Sequence, residues 1–223
     1  MNCCRKLLQP KTMGLIGLLG LSLFMLTVMV LSLITPNYNQ CVNTVSALAL
    51  GKYGQIYTLI MLFFGLSSLA TGLGVSKSLT GKYFSRVFWF YLAYGLGVLT
   101  LAIFKTDMLF DQEQVDFAKV NFSGKIHYGT TVAALFMFPL GVIMMMKKMA
   151  RLPYWKKLIP YTKGVLISSF IAGAIWFISR SFGIGYSYKG LFQKIIIIDL
   201  SLWCLVMNYW LFKDKSHDHG KTA

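Results

Sequence analysis

The sequence predicts an all-α fold, a polytopic integral membrane bundle of six transmembrane helices with both termini in the cytoplasm. Three observations carry that prediction. Hydrophobic residues make up 56% of the chain and charged residues 13%, where a soluble domain carries roughly a quarter charged. The charges are clustered, so that the stretch from Met13 to Gly51 holds no Lys, Arg, Asp or Glu. Between the clusters lie apolar runs of about 18 residues, the length a helix needs to cross hydrocarbon with its backbone polar groups bonded internally.

Six spans follow in order: Met13–Thr35, Ile56–Val75, Val87–Phe104, Tyr128–Met146, Val165–Ser179 and Ile195–Phe212. The fifth is the shortest, and it extends past Arg180 if the helix continues into Ser181–Ile184. The first is preceded by Arg5, Lys6 and Lys11 like a secretory signal. Its apolar run is too long for a signal core, and Thr35-Pro36-Asn37-Tyr38 is no small-residue cleavage site, so it reads as a retained helix. The whole chain, residues 1–223, reads as one transmembrane domain. Connections this short favour antiparallel neighbours in a single bundle.

The net charge of +15 does not point to nucleic acid, because the basic residues are spread over short loops rather than gathered on one soluble face. They mark orientation instead. Fifteen Lys and Arg fall on the side of the two termini and the second and fourth loops, and seven on the other side. The richer side is expected to be cytoplasmic. The fourth loop interleaves Lys147, Lys148, Arg151, Lys156, Lys157 and Lys163 with Tyr154, Trp155 and Tyr161. Residues 147–163 therefore suit the headgroup layer, with membrane lipids and their anionic headgroups as partners.

Small residues recur within the spans: Gly14, Gly17 and Gly20, then Gly65, Ser68, Gly72 and Gly74, Gly95 and Gly97, and Ser168, Ser169, Ala172, Gly173 and Ala174. They are expected at close helix contacts inside the molecule, since dispersion at short range holds helices together in lipid. Of the four cysteines, Cys41 falls outside, Cys3 and Cys4 in the cytoplasm and Cys204 within the sixth span, so an extracytoplasmic disulfide is not expected. Met144-Met145-Met146 reads as lipid-facing or gap-filling. Asn121-Phe122-Ser123 matches a glycosylation acceptor that matters only in a eukaryotic secretory pathway. His217-Asp218-His219, on the tail, is too little for a metal site.

Ionisable groups in or beside hydrocarbon are costly and ask for a partner or a role. Asp199 is the one carboxylate inside a span, about 7–8 Å below Lys194 by helical rise. Arg180 ends the fifth span on the same side. Asp107 lies just beyond the third, and Asp111 one turn further if that helix continues. His127 opens the fourth span, with Thr131 one turn below it. Three readings stay open. Asp199 and Arg180 could form a buried ion pair that fixes the bundle. The set could bind or pass a small solute, a proton or a lipid headgroup through a polar pocket open to the outer leaflet. His127 and Asp107 could act on lipid as general base and partner. The sequence lacks a Gly-x-Ser-x-Gly elbow, a His-Glu-x-x-His pair and a phosphate loop, which leaves an enzyme the less supported class. No cofactor or metal is expected.

Ile103-Phe104-Lys105-Thr106-Asp107, followed by Gly124-Lys125-Ile126-His127 at the mouth of an apolar helix, resembles the six-span bacterial and archaeal family catalogued as domain of unknown function 998. That family shows a Phe-Pro-x-Asp stretch after its third span and a Gly-x-x-His at its fourth. Gly190-Leu191-Phe192-Gln193-Lys194 is similar to its Gly-x-x-(Glu/Gln)-(Arg/Lys) turn before the last span. Lys105 stands in the place of the family's Pro, and Lys194 where Arg is frequent. The resemblance implies the six-span fold and a multi-pass protein of a bacterial inner membrane. It draws attention to Asp107, His127, Gln193 and Lys194, and it leaves activity open.

Overall fold

The computed structural model describes residues 9–107 and 117–214, apart from the side chains of Leu135, Phe136, Arg180 and Ser181. Six helices are long and apolar enough to cross a membrane: α1 Pro10–Ile34, α2 Gly54–Thr80, α3 Arg86–Ile103, α4 Phe122–Met149, α5 Ile159–Phe182 and α6 Lys189–Lys213. Short 3₁₀ segments at Val45–Leu50 and Tyr186–Tyr188 and one helical turn at Pro153–Lys156 occupy the connections. All six expected spans are helices, and most run past the apolar stretch into their charged flanks.

Local sequence sets those longer bounds. Pro10 opens α1 in the first turn, where its missing N–H costs nothing. The Asn121 side chain accepts from Gly124 N at 2.7 Å and starts α4 more than a turn before His127. Pro160 opens α5 well before Val165. Gly81 and Gly183 end α2 and α5 in the left-handed conformation (φ +73° and +72°), which a side chain would strain.

Each helix packs on its chain neighbours, and α1 packs on α6 to close the ring. The α2–α3 and α1–α2 seams are the most extensive, and the α4–α5 seam is among the slightest. One reason is glycine. A Cβ at Gly17 would run into the Asn208 amide and the Thr71 hydroxyl, one at Gly20 into Ser67, and one at Gly72 into the Tyr91 ring. Backbones there approach as closely as small residues permit. Added Cβ atoms at Gly129, Gly164 and Gly173 would meet nothing within 4 Å. The small residues of the first three spans thus serve internal contact as expected, while Gly173 in the fifth does not.

Helix α4 is anchored mainly by Phe138. Its ring centroid lies 5.8 Å from Tyr94 and 6.1 Å from Phe90 of α3, and 5.5 Å edge-on from Trp203 of α6. Trp203 in turn donates from Nε1 to Thr162 Oγ1 of α5 at 3.1 Å. Met145 is fully buried and fills this core, while Met144 stays exposed.

The end of the bundle that carries both described chain ends is closed by an aromatic clasp. Trp155 is buried, not spread in a headgroup layer, and its Nε1 donates to Ser78 Oγ at 3.0 Å. Ser78 donates to the Asp214 carboxylate. Tyr154 donates from its hydroxyl to Trp210 O at 2.8 Å, and Trp210 Nε1 returns a bond to Tyr154 O at 3.3 Å. Burial, with Asp214 and Tyr209 nearby, pushes the Tyr154 phenol up to about 12. The six cations of this loop, Lys147 to Lys163, all remain exposed.

Candidate functional site

The ionisable and motif residues singled out by the sequence fall into three separate places. At the first, the end of α3 is stapled onto the start of α4. His127, 6% exposed, hydrogen-bonds through Nδ1 to Phe104 O at 2.7 Å, capturing a carbonyl that the end of α3 leaves free. Ser123 donates to Lys105 O at 2.9 Å, and Asn121 N donates to Asp107 Oδ2 at 2.9 Å. The Phe-x-x-Asp and Gly-x-x-His stretches thus meet one another as a backbone clip. Thr131 donates back to His127 O at 2.9 Å, as hydroxyls inside helices commonly do.

At the second place, the α1–α2 loop is clamped onto the start of α6. Lys194 Nζ donates to Gln40 O at 2.9 Å and Asn43 O at 2.7 Å, and lies 4.9 Å from the centre of the Tyr38 ring. Gln193 Oε1 accepts from Val45 N at 2.8 Å at the start of the 3₁₀ segment, and Leu191 N donates to Cys41 O at 3.0 Å. A Cβ at Gly190 would strike the Asn43 and Cys41 carbonyls, which accounts for the glycine that opens this motif. A cation suits the position because it neutralises two loop carbonyls at once.

The third place is Asp199. Helix α6 begins at Lys189, so Asp199 lies ten residues in, about 15 Å along the axis and near its middle. That is about twice the depth expected from a helix starting at Lys194. Its Oδ2 accepts from Ser168 Oγ of α5 at 2.5 Å. Arg180 is twelve residues from Ser168 along α5, roughly 18 Å of helix. The ion pair raised from the sequence does not match this placement, because the fifth and sixth helices run antiparallel and carry the two residues to different depths. The side chain of Arg180 and all of Asp111 lie outside the described residues, as do Cys3, Cys4, His217 and His219. Among the described residues, no three His, Cys, Asp or Glu gather as a metal site.

Further polar features lie on α5 and between α2 and α6, and sequence reasoning gave most of them no chemical role. Among the described residues, five buried side-chain polar atoms have no hydrogen-bond partner, and three are on α5: Ser169 Oγ, Trp176 Nε1 and Ser179 Oγ. They form part of the inward stripe Thr162, Ser169, Ala172, Trp176, Ser179, at helical spacing. Trp176 and Ala172 pack on Ile196 of α6 with Phe192 beside them. By contrast Ser67, Ser68 and Thr71 of α2 each donate to a carbonyl one turn back, at 2.8–3.0 Å. Thr71 also reaches Asn208 Oδ1 at 2.9 Å, and Asn208 Nδ2 donates to Cys204 O at 2.9 Å. Asn208, a lone amide in an apolar run, was the signal available in the sequence. The α5 serines resemble ordinary helix serines until their partners are counted.

No curated protein and no solved structure matches the chain. A family model described as protein of unknown function DUF998 matches residues 18–208, a range that includes both clips and most of the length of the six helices. The chain belongs to that family.

Proposed function

We propose that this multi-pass membrane protein binds or passes a small polar solute, a proton or a lipid headgroup through the α5–α6 side of its bundle, in a pocket that opens to the outer leaflet. The observation that carries the reading is the row of unpartnered buried groups on α5. From Ser169 to Ser179 it runs ten residues, about 15 Å of helix. An unmade hydrogen bond in a buried setting costs about 1–3 kcal/mol, and lipid supplies no partner. Three such groups on one face of α5, against the single Thr58 hydroxyl on α2, are what a helix looks like when an occupant completes it.

Asp199 lies at the inner end of this row, on the position next to Ser169 through its Ser168 bond. Asp199 is half-buried, and a carboxylate at that depth along the span favours a cationic or hydrogen-donating occupant, since intramembrane charge is costly unless it is used. The charge asymmetry of the loops supports an orientation with the chain ends in the cytoplasm and the mouth of the row outside. The exposed cations of residues 147–163 then face anionic headgroups of the inner leaflet. His127, Asp107, Gln193 and Lys194 hold the outer loops in place around that mouth. This organisation fits a bacterial plasma membrane.

A thermal-shift screen of the purified protein against primary amines, sugars and glycerophosphodiesters tests the reading. At least one class should raise the melting temperature of the parent, by linkage of about 2.7 kcal/mol at a hundred times its dissociation constant. The Asp199→Asn variant should lose that shift. An identical shift in both proteins, or none with any class, contradicts the proposal.

A further inference from the structure

A different void, lined by polar side chains together with Leu21 and Phe64, lies on the other side of the bundle, where α1, α2, α3 and α6 converge. Its walls include Gly17, Ser67, Ser68, Thr71, Tyr91 and Asn208, all buried. Tyr91, 2% exposed, has a buried hydroxyl with no hydrogen-bond partner. The cavity volume is ≈ 10 Å³, at the lower edge of the roughly 10–15 Å³ that one water molecule needs.

We infer that this void is a binding site for a single water molecule, which accepts from the Tyr91 hydroxyl and donates to the side-chain oxygens of the opposite wall. The donor and acceptor count selects water. The hydroxyl hydrogens of Ser67 and Ser68 are committed to Phe64 O, and that of Thr71 to Ser67 O or Asn208 Oδ1. The amide of Asn208 donates to Cys204 O. What remains as donors are the hydroxyls of Tyr91 and Tyr94, in a lining that otherwise offers acceptor lone pairs on Asn208 and the serines. An anion would need several donors and would meet the acceptor oxygens of Asn208 and the serines instead. A cation would enter a site with no Asp or Glu in its lining, where its lost hydration goes uncompensated. Water has the two donors and the acceptor that the lining lacks. It joins α3 to a polar core otherwise shared by α1, α2 and α6, as internal waters join buried polar groups elsewhere.

Two measurements test the site on the full chain. A crystal structure from lipidic mesophase, at a resolution of about 2 Å where single waters are visible, should show one ordered molecule within hydrogen-bonding distance of Tyr91 Oη. An empty void, or a Tyr91 hydroxyl bonded directly to protein, would overturn the inference. The Tyr91→Phe variant should remain monodisperse and melt about 2–4 °C below the parent, because the water loses an anchor. A melting temperature equal to or above the parent's would mean that the hydroxyl was dry, and would overturn it equally.

Discussion

The α1–α2–α6 side of the bundle and the α4–α5 side are built from the same residue types and use them differently. On the first side glycines make room for neighbours: Gly17 admits the Asn208 amide and Gly20 admits Ser67. On the second, Gly141 admits the Phe90 ring, but Gly129, Gly164 and Gly173 face open space. Ser67, Ser68 and Thr71 of α2 close their hydrogen bonds on their own helix or on Asn208. Those on the inner face of α5 leave Ser169 and Ser179 unmatched. In lipid, where no hydrophobic drive favours one helix pairing over another, dispersion at close range and completed hydrogen bonds supply cohesion. The first side has both. The second has less of each, and the difference separates a scaffold from a region able to accommodate an occupant.

The strongest way to break this division is to cut the anchor of α4. Phe138→Ala removes the ring shared by Phe90, Tyr94 and Trp203. A buried Phe→Ala change costs about 3–5 kcal/mol, and the variant should show the largest loss of melting temperature in detergent. Paired glycine substitutions sharpen the contrast. Gly17→Ala should cost about 1–3 kcal/mol by overpacking against Asn208 and Thr71. Gly173→Ala should leave stability unchanged or raise it by up to roughly 1 kcal/mol through helix propensity. Equal effects at the two sites would erase the distinction.

A smaller and more local effect is expected at the outer clamp. Lys194→Met withdraws the donor from Gln40 O and Asn43 O, and the α1–α2 loop should loosen while the bundle stays folded. Cys41, whose carbonyl accepts from Leu191 N in this clamp, reports the change. Its labelling by a membrane-impermeant maleimide added from outside should speed up in the variant. Faster labelling from the cytoplasmic side would instead reverse the orientation given to the chain.

The six helices were legible in the sequence because apolar length alone specifies a span. Their ends were less so. Lys189 and Gly190 read as loop, yet they open α6, because its first turn finds a partner in the α1–α2 loop, where Leu191 N donates to Cys41 O. The motif residues were legible as important, and their geometry was not. His127 invites a catalytic reading from its type, but its Nδ1 is spent on Phe104 O. Asp199 was visible as a lone acid in an apolar run. Its partner was not, since Ser168 and Asp199 meet through a register between α5 and α6 that no local pattern records. The unmatched groups of α5 were least visible, because Ser169 and Ser67 differ only in whether their hydroxyls find a carbonyl.

That last difference is open to direct measurement by a cysteine scan in a background from which the native cysteines have been removed. Ser169→Cys and Ser179→Cys on α5 are compared with Ser67→Cys and Ser68→Cys on α2, each exposed to a water-soluble thiol reagent from the outer side. The account predicts that the α5 positions react, Ser179 faster than Ser169, and that the α2 positions stay protected. Equal protection of all four would contradict it, and the α4–α5 side would then be as closed as the scaffold beside it.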